Sequence, residues 1–183
     1  MKLRVIEYDT VSSTNDLARD FARRGAREGL IIRSEYQTKG RGRGRHSWRS
    51  PRGKSVLMTL LLRPQVEAAK LSHLTVITCK SIAEFLRMHI EGVVLKLPND
   101  ILVSGKKIAG VLVEGETKGR MQKWVCVGIG MNVLTNKESI HRGGTSIFIE
   151  IRKKLDAYSC ISGILSRLVK NYVNSSIISK NIL

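Results

Sequence analysis

Apolar and polar residues alternate along Leu3–Tyr8 (LRVIEY), the two-residue period of a strand. The spacing then turns helical at Leu17, Ala18 and Phe21. Ser13 followed three residues later by Asp16 predicts a capping box with Asp in place of Glu, and Gly25 predicts a stop just past the helix end. Leu30–Tyr36 reads as the next strand. Ser55–Arg63 (SVLMTLLLR) is almost continuously apolar, which predicts a strand buried on both faces. Apolar positions 74, 77, 82, 85 and 86 predict a helix from Leu71 to about Ile90 facing a core. The run VVLKLPNDILVSGKKIAGVLVEGE predicts a strand, a Pro-Asn-Asp turn and a hairpin closed around Ser104-Gly105. Lys123–Val133 is a further apolar strand containing glycines. Residues 145–174 read as two helices, the second with a stripe of Cys160, Ile161, Ile164, Leu165, Leu168, Val169 and Tyr172.

Hairpins therefore sit beside helix-connected strands. That order predicts an α+β fold with a central mixed sheet flanked by helices. No repeat or long linker divides the chain, so residues 1–183 read as one domain, and 42% hydrophobic residues suffice for its core.

Charge adds the first hint of chemistry. Thirty-two Lys and Arg face 15 Asp and Glu, a formal charge of +17, which favours an anionic partner such as phosphate, nucleic acid, an acidic protein or a membrane surface. Cys79, Cys126 and Cys160 lie far apart in apolar runs and read as buried free thiols of a reducing compartment. No long uncharged apolar run predicts a membrane span, and the charged N-terminal strand is not a signal peptide. A cytoplasmic protein is the expectation.

Three stretches stand out chemically. QTKGRGRGRHSW, Gln37–Trp48, combines glycines that let backbone N–H groups approach a ligand with planar arginine donors suited to phosphate or carboxylate. No helix signal or G-K-[ST] follows, so it is neither a Rossmann fingerprint nor a P-loop. Alone, it divides between a phosphate loop and an RNA-binding patch. KLPND with GKKIAG is the second. If Ser104-Gly105 is a two-residue loop, Asp100 pairs with Ala109, and Lys107 lies diagonal to Asp100 within reach of it. Alone, the pair reads more readily as a surface ion pair than as a site. SSTN is the third: by itself it is a helix cap, although a helix N-terminus with hydroxyl and amide groups can also hold a polar ligand head.

Taken in order, STN at 13–15, QTKGRGRGRHSW at 37–48, KLPND at 96–100, KKIAGVLVE at 106–114 and GIGMN at 128–132 resemble the catalytic domain of the biotin protein ligases. The resemblance covers roughly residues 5–155. It implies the class II synthetase-like fold shared by biotin and lipoate ligases. It also implies a two-step reaction: biotin and ATP, with Mg2+, form biotinyl-5'-AMP, and a lysine of a biotin carboxyl carrier domain then takes the biotin.

By the same resemblance, Ser13, Thr14 and Asn15 would line the ureido end of the biotin pocket. Gln37, Arg41, Gly42 and Arg43 would hold biotin and the phosphates. Lys107 would be the cation at the carboxylate–phosphate junction, with Arg43 and Asp100 as its catalytic companions and Asp100 near the metal. Trp48, Asn99 and Asn132 would lie on the nucleotide side. The aliphatic strands around 108–113 and 125–131 would wall the biotin ring and tail, and the glycine loop would order over the adenylate.

The chain departs from the family where its tryptophan becomes Leu97, and where Gly (or Asn) and Arg become Arg45 and His46, which take no role by carry-over. The family also has a small C-terminal β-barrel, for which VNSSIISKNIL is too short; no DNA-binding domain is expected before residue 1, so no DNA partner is expected, and the lack of a long apolar run predicts no membrane partner, while a homodimer is compatible. A protein that makes and holds the adenylate but transfers it slowly is one expectation. A lipoate or octanoate ligase is the alternative of the same fold, and an RNA binder the alternative of another class.

Overall fold

The computed structural model describes residues 1–44 and 46–175. Its centre is a seven-stranded sheet of β1 (Arg4–Val11), β2 (Leu30–Gln37), β3 (Ser55–Leu62), β4 (Val93–Lys96), β5 (Asp100–Val103), β6 (Lys106–Lys118) and β7 (Met121–Asn132). The spatial order is β1-β2-β3-β7-β6-β5-β4. Only β1 and β2 run parallel, joined through helix α1 (Thr14–Arg23), and every other neighbouring pair is antiparallel. The mixed sheet predicted from the element order is thus present. Its strands run longer than the periodicity indicates at the end of β1 and the start of β7.

The two-residue period decides what each face carries. On β3, Val56, Met58, Leu60 and Leu62 enter the core beneath α2 (Leu71–Leu86) and α4 (Ala157–Val173). Leu61, on the opposite face, joins Ala18, Ala22, Ile32 and Cys126 under α1. Every residue of β3 is buried, as its unbroken apolar run predicts. The α2 helix ends at Leu86 rather than near Ile90, where turns at Arg87–Ile90 take over. A 3₁₀ turn (Ala68–Lys70) precedes it, and a short α3 (Ile147–Ile151) precedes α4.

Helix α1 has the predicted stop but not the predicted start. Gly25 adopts φ +88°, and the N–H groups of Gly25 and Ala26 donate to the carbonyls of Ala22 and Phe21, a Schellman ending. At the other end Ser13 is the N-cap residue but makes no side-chain capping bond, and Asp16 pairs with Arg19 and Arg41 instead of closing a capping box. The cap comes from Gln37 at the end of β2, whose Oε1 accepts the Thr14 N–H at 2.7 Å and the Thr14 hydroxyl at 3.1 Å.

All three cysteines are buried and free. Burial pushes the Cys79 and Cys126 thiols up to about 12 and the Cys160 thiol up to about 11, so all three are held as unreactive thiols near neutral pH.

Candidate active site

The site lies on the α1 side of the sheet, where side chains of β3, β6 and β7 meet the start of α1 and the glycine loop between β2 and β3. Its floor depends on three glycines. A Cβ on Gly128 would fall 2.2 Å from Asn15 Oδ1, and one on Gly130 would fall 2.6 Å from the Trp48 ring. Gly110 pairs with Gly130 across the strands, and its Cβ would meet both Lys107 and Trp48. Alternate positions on β7 therefore seat Asn15 and then Trp48, which explains GIGMN in terms of close approach.

The polar end is a buried network. Thr59, fully buried on β3, donates its hydroxyl to Asn15 Oδ1 at 2.6 Å and lies 2.8 Å from the Thr14 hydroxyl. Asn15 Nδ2 donates to Glu114 Oε2 at 2.8 Å and to the Leu112 carbonyl at 3.2 Å. Ser13, Thr14 and Asn15 are all buried here. Thr59 and Glu114 are site residues that sequence reasoning missed. Thr59 sits in an apolar run, where a buried hydroxyl gives the only signal.

The glycine loop folds back on itself. Trp48 N–H donates to the Gly40 carbonyl, and Gly42 N–H donates to the His46 carbonyl. Arg41 reaches across the cleft in a bidentate pair to Glu114 (Nη1 to Oε1 and Nη2 to Oε2, both 2.8 Å), and its Nη2 also lies 2.8 Å from Asp16 Oδ1. Partial burial alone would depress its pKa. The two carboxylates outweigh that and hold the guanidinium above its ordinary range. Without a ligand, both terminal nitrogens of Arg41 face carboxylates, those of Glu114 and Asp16.

Lys107 and Asp100 meet, but not in the predicted register. Asp100 pairs with Gly110, Ile101 with Ala109 and Leu102 with Lys107, so a bulge at Ile108 replaces the uniform ladder that placed Asp100 opposite Ala109. Ile108 is completely buried, and seating it in the core accounts for the extra residue. The Lys107 ammonium lies 2.7 Å from Asp100 Oδ1 and 5.6 Å from the centre of the Trp48 ring. Its backbone is fixed by the Gly143 carbonyl and the Thr145 N–H.

Two cavities flank this lysine. The first, with about 40 Å³ of free space, is lined by Ser13, Thr14, Asn15, Gln37, Arg41 and Gly42 at one end and by Asn99, Gly110, Gly128 and Gly130 farther along. The second, about 300 Å³, is lined by His46, Arg49, Asn132, His141, Arg142 and Gly144. Trp48 and Lys107 belong to both. Asn132 donates its amide to the Thr145 carbonyl and so braces the loop walling the second cavity. Asn99 holds β6 by exchanging hydrogen bonds with Val111. Arg43 stands apart from both cavities. It lines a third cavity of about 330 Å³ with Leu71, Val76, Leu97 and Pro98, and Leu97 is largely exposed there. The loop residues His141 and Arg142 were not singled out in the sequence, since nothing in their spacing marks them.

Comparison with known proteins places this geometry in a class. Residues 8–132 match the pattern of the Biotin/lipoate A/B protein ligase family, and the chain belongs to that family. It is 32% identical over 178 residues to the bifunctional ligase/repressor BirA of Bacillus subtilis (strain 168), covering 94% of this chain and 54% of that protein. The chain thus spans about half the length of that curated relative. Among solved structures it superposes on the biotin protein ligase from Aquifex aeolicus in complex with biotin and ATP with a TM-score of 0.75 and 27% identity, covering 92% of this chain and 69% of the other. The Leishmania major biotin protein ligase in complex with biotin gives a TM-score of 0.71 at 25% identity, covering 90% and 72%. The fold is that of the biotin protein ligase catalytic domains.

Proposed function

We propose that the protein is an ATP-dependent biotin protein ligase that forms biotinyl-5'-AMP and passes biotin to a lysine of a carboxyl carrier domain. The observation that carries this reading is the meeting of two cavities at Lys107 and Trp48. The lining of the first cavity suits a long acid with a polar head, with its buried amide and hydroxyls at one end and glycine-floored strands along its length. A nucleotide suits the second, where Arg49, Arg142 and Lys107 face a roomy space.

In the first step a biotin carboxylate oxygen bonds to the α-phosphorus of ATP, and the bond to the β-phosphate oxygen breaks to release pyrophosphate. Two anions must approach one another, and the Lys107 ammonium between them offsets their charge. Paired with Asp100 at 2.7 Å, Lys107 acts as an electrostatic partner and not as a nucleophile. In the second step a carrier lysine amine attacks the acyl carbon, the amide forms and AMP leaves.

Mg2+ would arrive on the ATP phosphates. Among the described residues no three His, Cys, Asp or Glu side chains form a cluster that could hold a metal, and Asp100 is the carboxylate beside Lys107. That suits a small dication that takes most of its oxygens from phosphate and water. When bound it supplies further charge neutralisation.

The test is mass spectrometry after incubation with biotin and Mg-ATP, run beside lipoate and octanoate. Retained biotinyl-adenylate with release of pyrophosphate is the expected result. An adenylate formed only from lipoate or octanoate would move the protein to the other branch of its family.

A further inference from the structure

We infer that Glu114 is a positioning residue that ties the polar end of the acid pocket to the glycine loop, and that its bridge to Arg41 sets how fast the acid leaves. This deepens the reading above and rests on it. The Glu114 carboxylate works in two directions. Its Oε2 accepts from Asn15 at 2.8 Å, the amide at the head of the first cavity. Both its oxygens accept from Arg41, the first arginine of the loop. Asp16, one residue after Asn15, holds the same guanidinium from α1. Arg41 is thus clamped between α1 and β6 beside the cavity that it lines.

The size of the cavity makes the clamp consequential. About 40 Å³ of free space remains in it, whereas pockets for molecules of this size run to roughly 300 Å³ or more. A space that small must widen to take a bicyclic acid, and Glu114 ties together two of the side chains that have to part, Asn15 and Arg41. Bidentate charge-assisted bonds are the stronger kind, although here the groups are about one-third exposed and solvent weakens them. Because Glu114 also fixes Asn15, the residue that aims the head-group amide is the one that holds the loop shut. Glu114 touches no reacting atom.

The experiment compares the parent protein with Glu114→Gln, Asp16→Asn, Arg41→Met and the double variant Arg41→Met with Glu114→Gln. Biotin release is followed by chase with unlabelled biotin, and hydrogen exchange of the Gly42 and Trp48 amides is followed in the protein alone. Glu114→Gln is expected to release biotin about tenfold faster, the size of one charged hydrogen bond. KM for biotin should rise while kcat changes little, and both amides should exchange faster. Asp16→Asn should do the same more weakly. The double variant should release biotin no faster than Arg41→Met alone, since losing Arg41 already removes the bridge to Glu114. Unchanged release and exchange in Glu114→Gln, or additive effects in the double variant, would overturn the inference. A parent protein that binds no biotin would instead sink the functional reading, and the amide exchange would still report on the bridge.

Discussion

At the scale of single residues, the site is built by small polar groups that satisfy one another out of water. Thr59 shows this best. Its hydroxyl has no solvent and holds Asn15 at 2.6 Å with Thr14 at 2.8 Å. Thr59→Val keeps the shape and removes the hydroxyl, which leaves the Asn15 carbonyl oxygen without that donor. The expected cost is about 1–3 kcal/mol of stability, read as a lower midpoint in urea with an unchanged slope, together with weaker biotin binding. An unchanged midpoint would show that water or a rotated Asn15 replaces the bond. Such residues are hard to read from a sequence. Lys107, Asp100, Asn15 and Gln37 stand in polar stretches where their chemistry is visible, but Thr59 lies inside SVLMTLLLR and looks like one more strand residue. Gln37 was visible as part of a motif, yet its capping of α1 from 23 residues away is a tertiary fact that no local pattern contains.

At the scale of elements, β6 and β7 form a floor from which side chains are deliberately missing. Gly128 and Gly130 sit two apart on one face, and Gly110 lies opposite Gly130. The backbone at Gly128 and Gly130 does not need glycine's special angles, so what alanine would change there is space. Gly128→Ala would push on Asn15 and is expected to raise KM for biotin with little effect on ATP. Gly130→Ala would push on Trp48, the wall shared by both cavities, and is expected to raise both KM values. A displacement of about 1 Å can cost as much as a hundredfold in rate, so steady-state kinetics with each substrate varied in turn will separate the two. Equal profiles for the two variants would contradict this division of the floor. The period of 3.6 made α2 legible, and an unbroken apolar run made β3 legible as a strand buried on both faces. The register at the β5–β6 hairpin was not legible. Its turn fixes only the two nearest pairs, Val103 with Lys106 and Leu102 with Lys107, and the demand of Ile108 for the core then inserts a bulge.

At the scale of the whole molecule, the sheet places two kinds of space end to end and puts one lysine between them. The sequence carries the ingredients in five separated motifs. Their convergence depends on strand order, since β3, β7 and β6 become neighbours only through the fold. The abundance of positive charge suits anionic ligands in general, and the ion pairs show how some of it is spent. Arg41 answers Glu114 and Asp16, Lys107 answers Asp100, and Arg33 is held by Glu7 and Glu35 far from the cavities. Around the second cavity, Arg49, Arg142 and Lys107 line the space that an anion would enter. The most direct test of the account is a single-turnover measurement of pyrophosphate release by Lys107→Ala at saturating biotin and Mg-ATP, with folding checked by thermal unfolding. Losing a donor that stabilises developing charge corresponds to about 2.7–4 kcal/mol in the barrier, so the rate should fall by a factor of about one hundred to one thousand while the unfolding midpoint stays close to that of the parent. A variant that releases pyrophosphate at the parent's rate would show that the junction of the two cavities is not where the chemistry occurs.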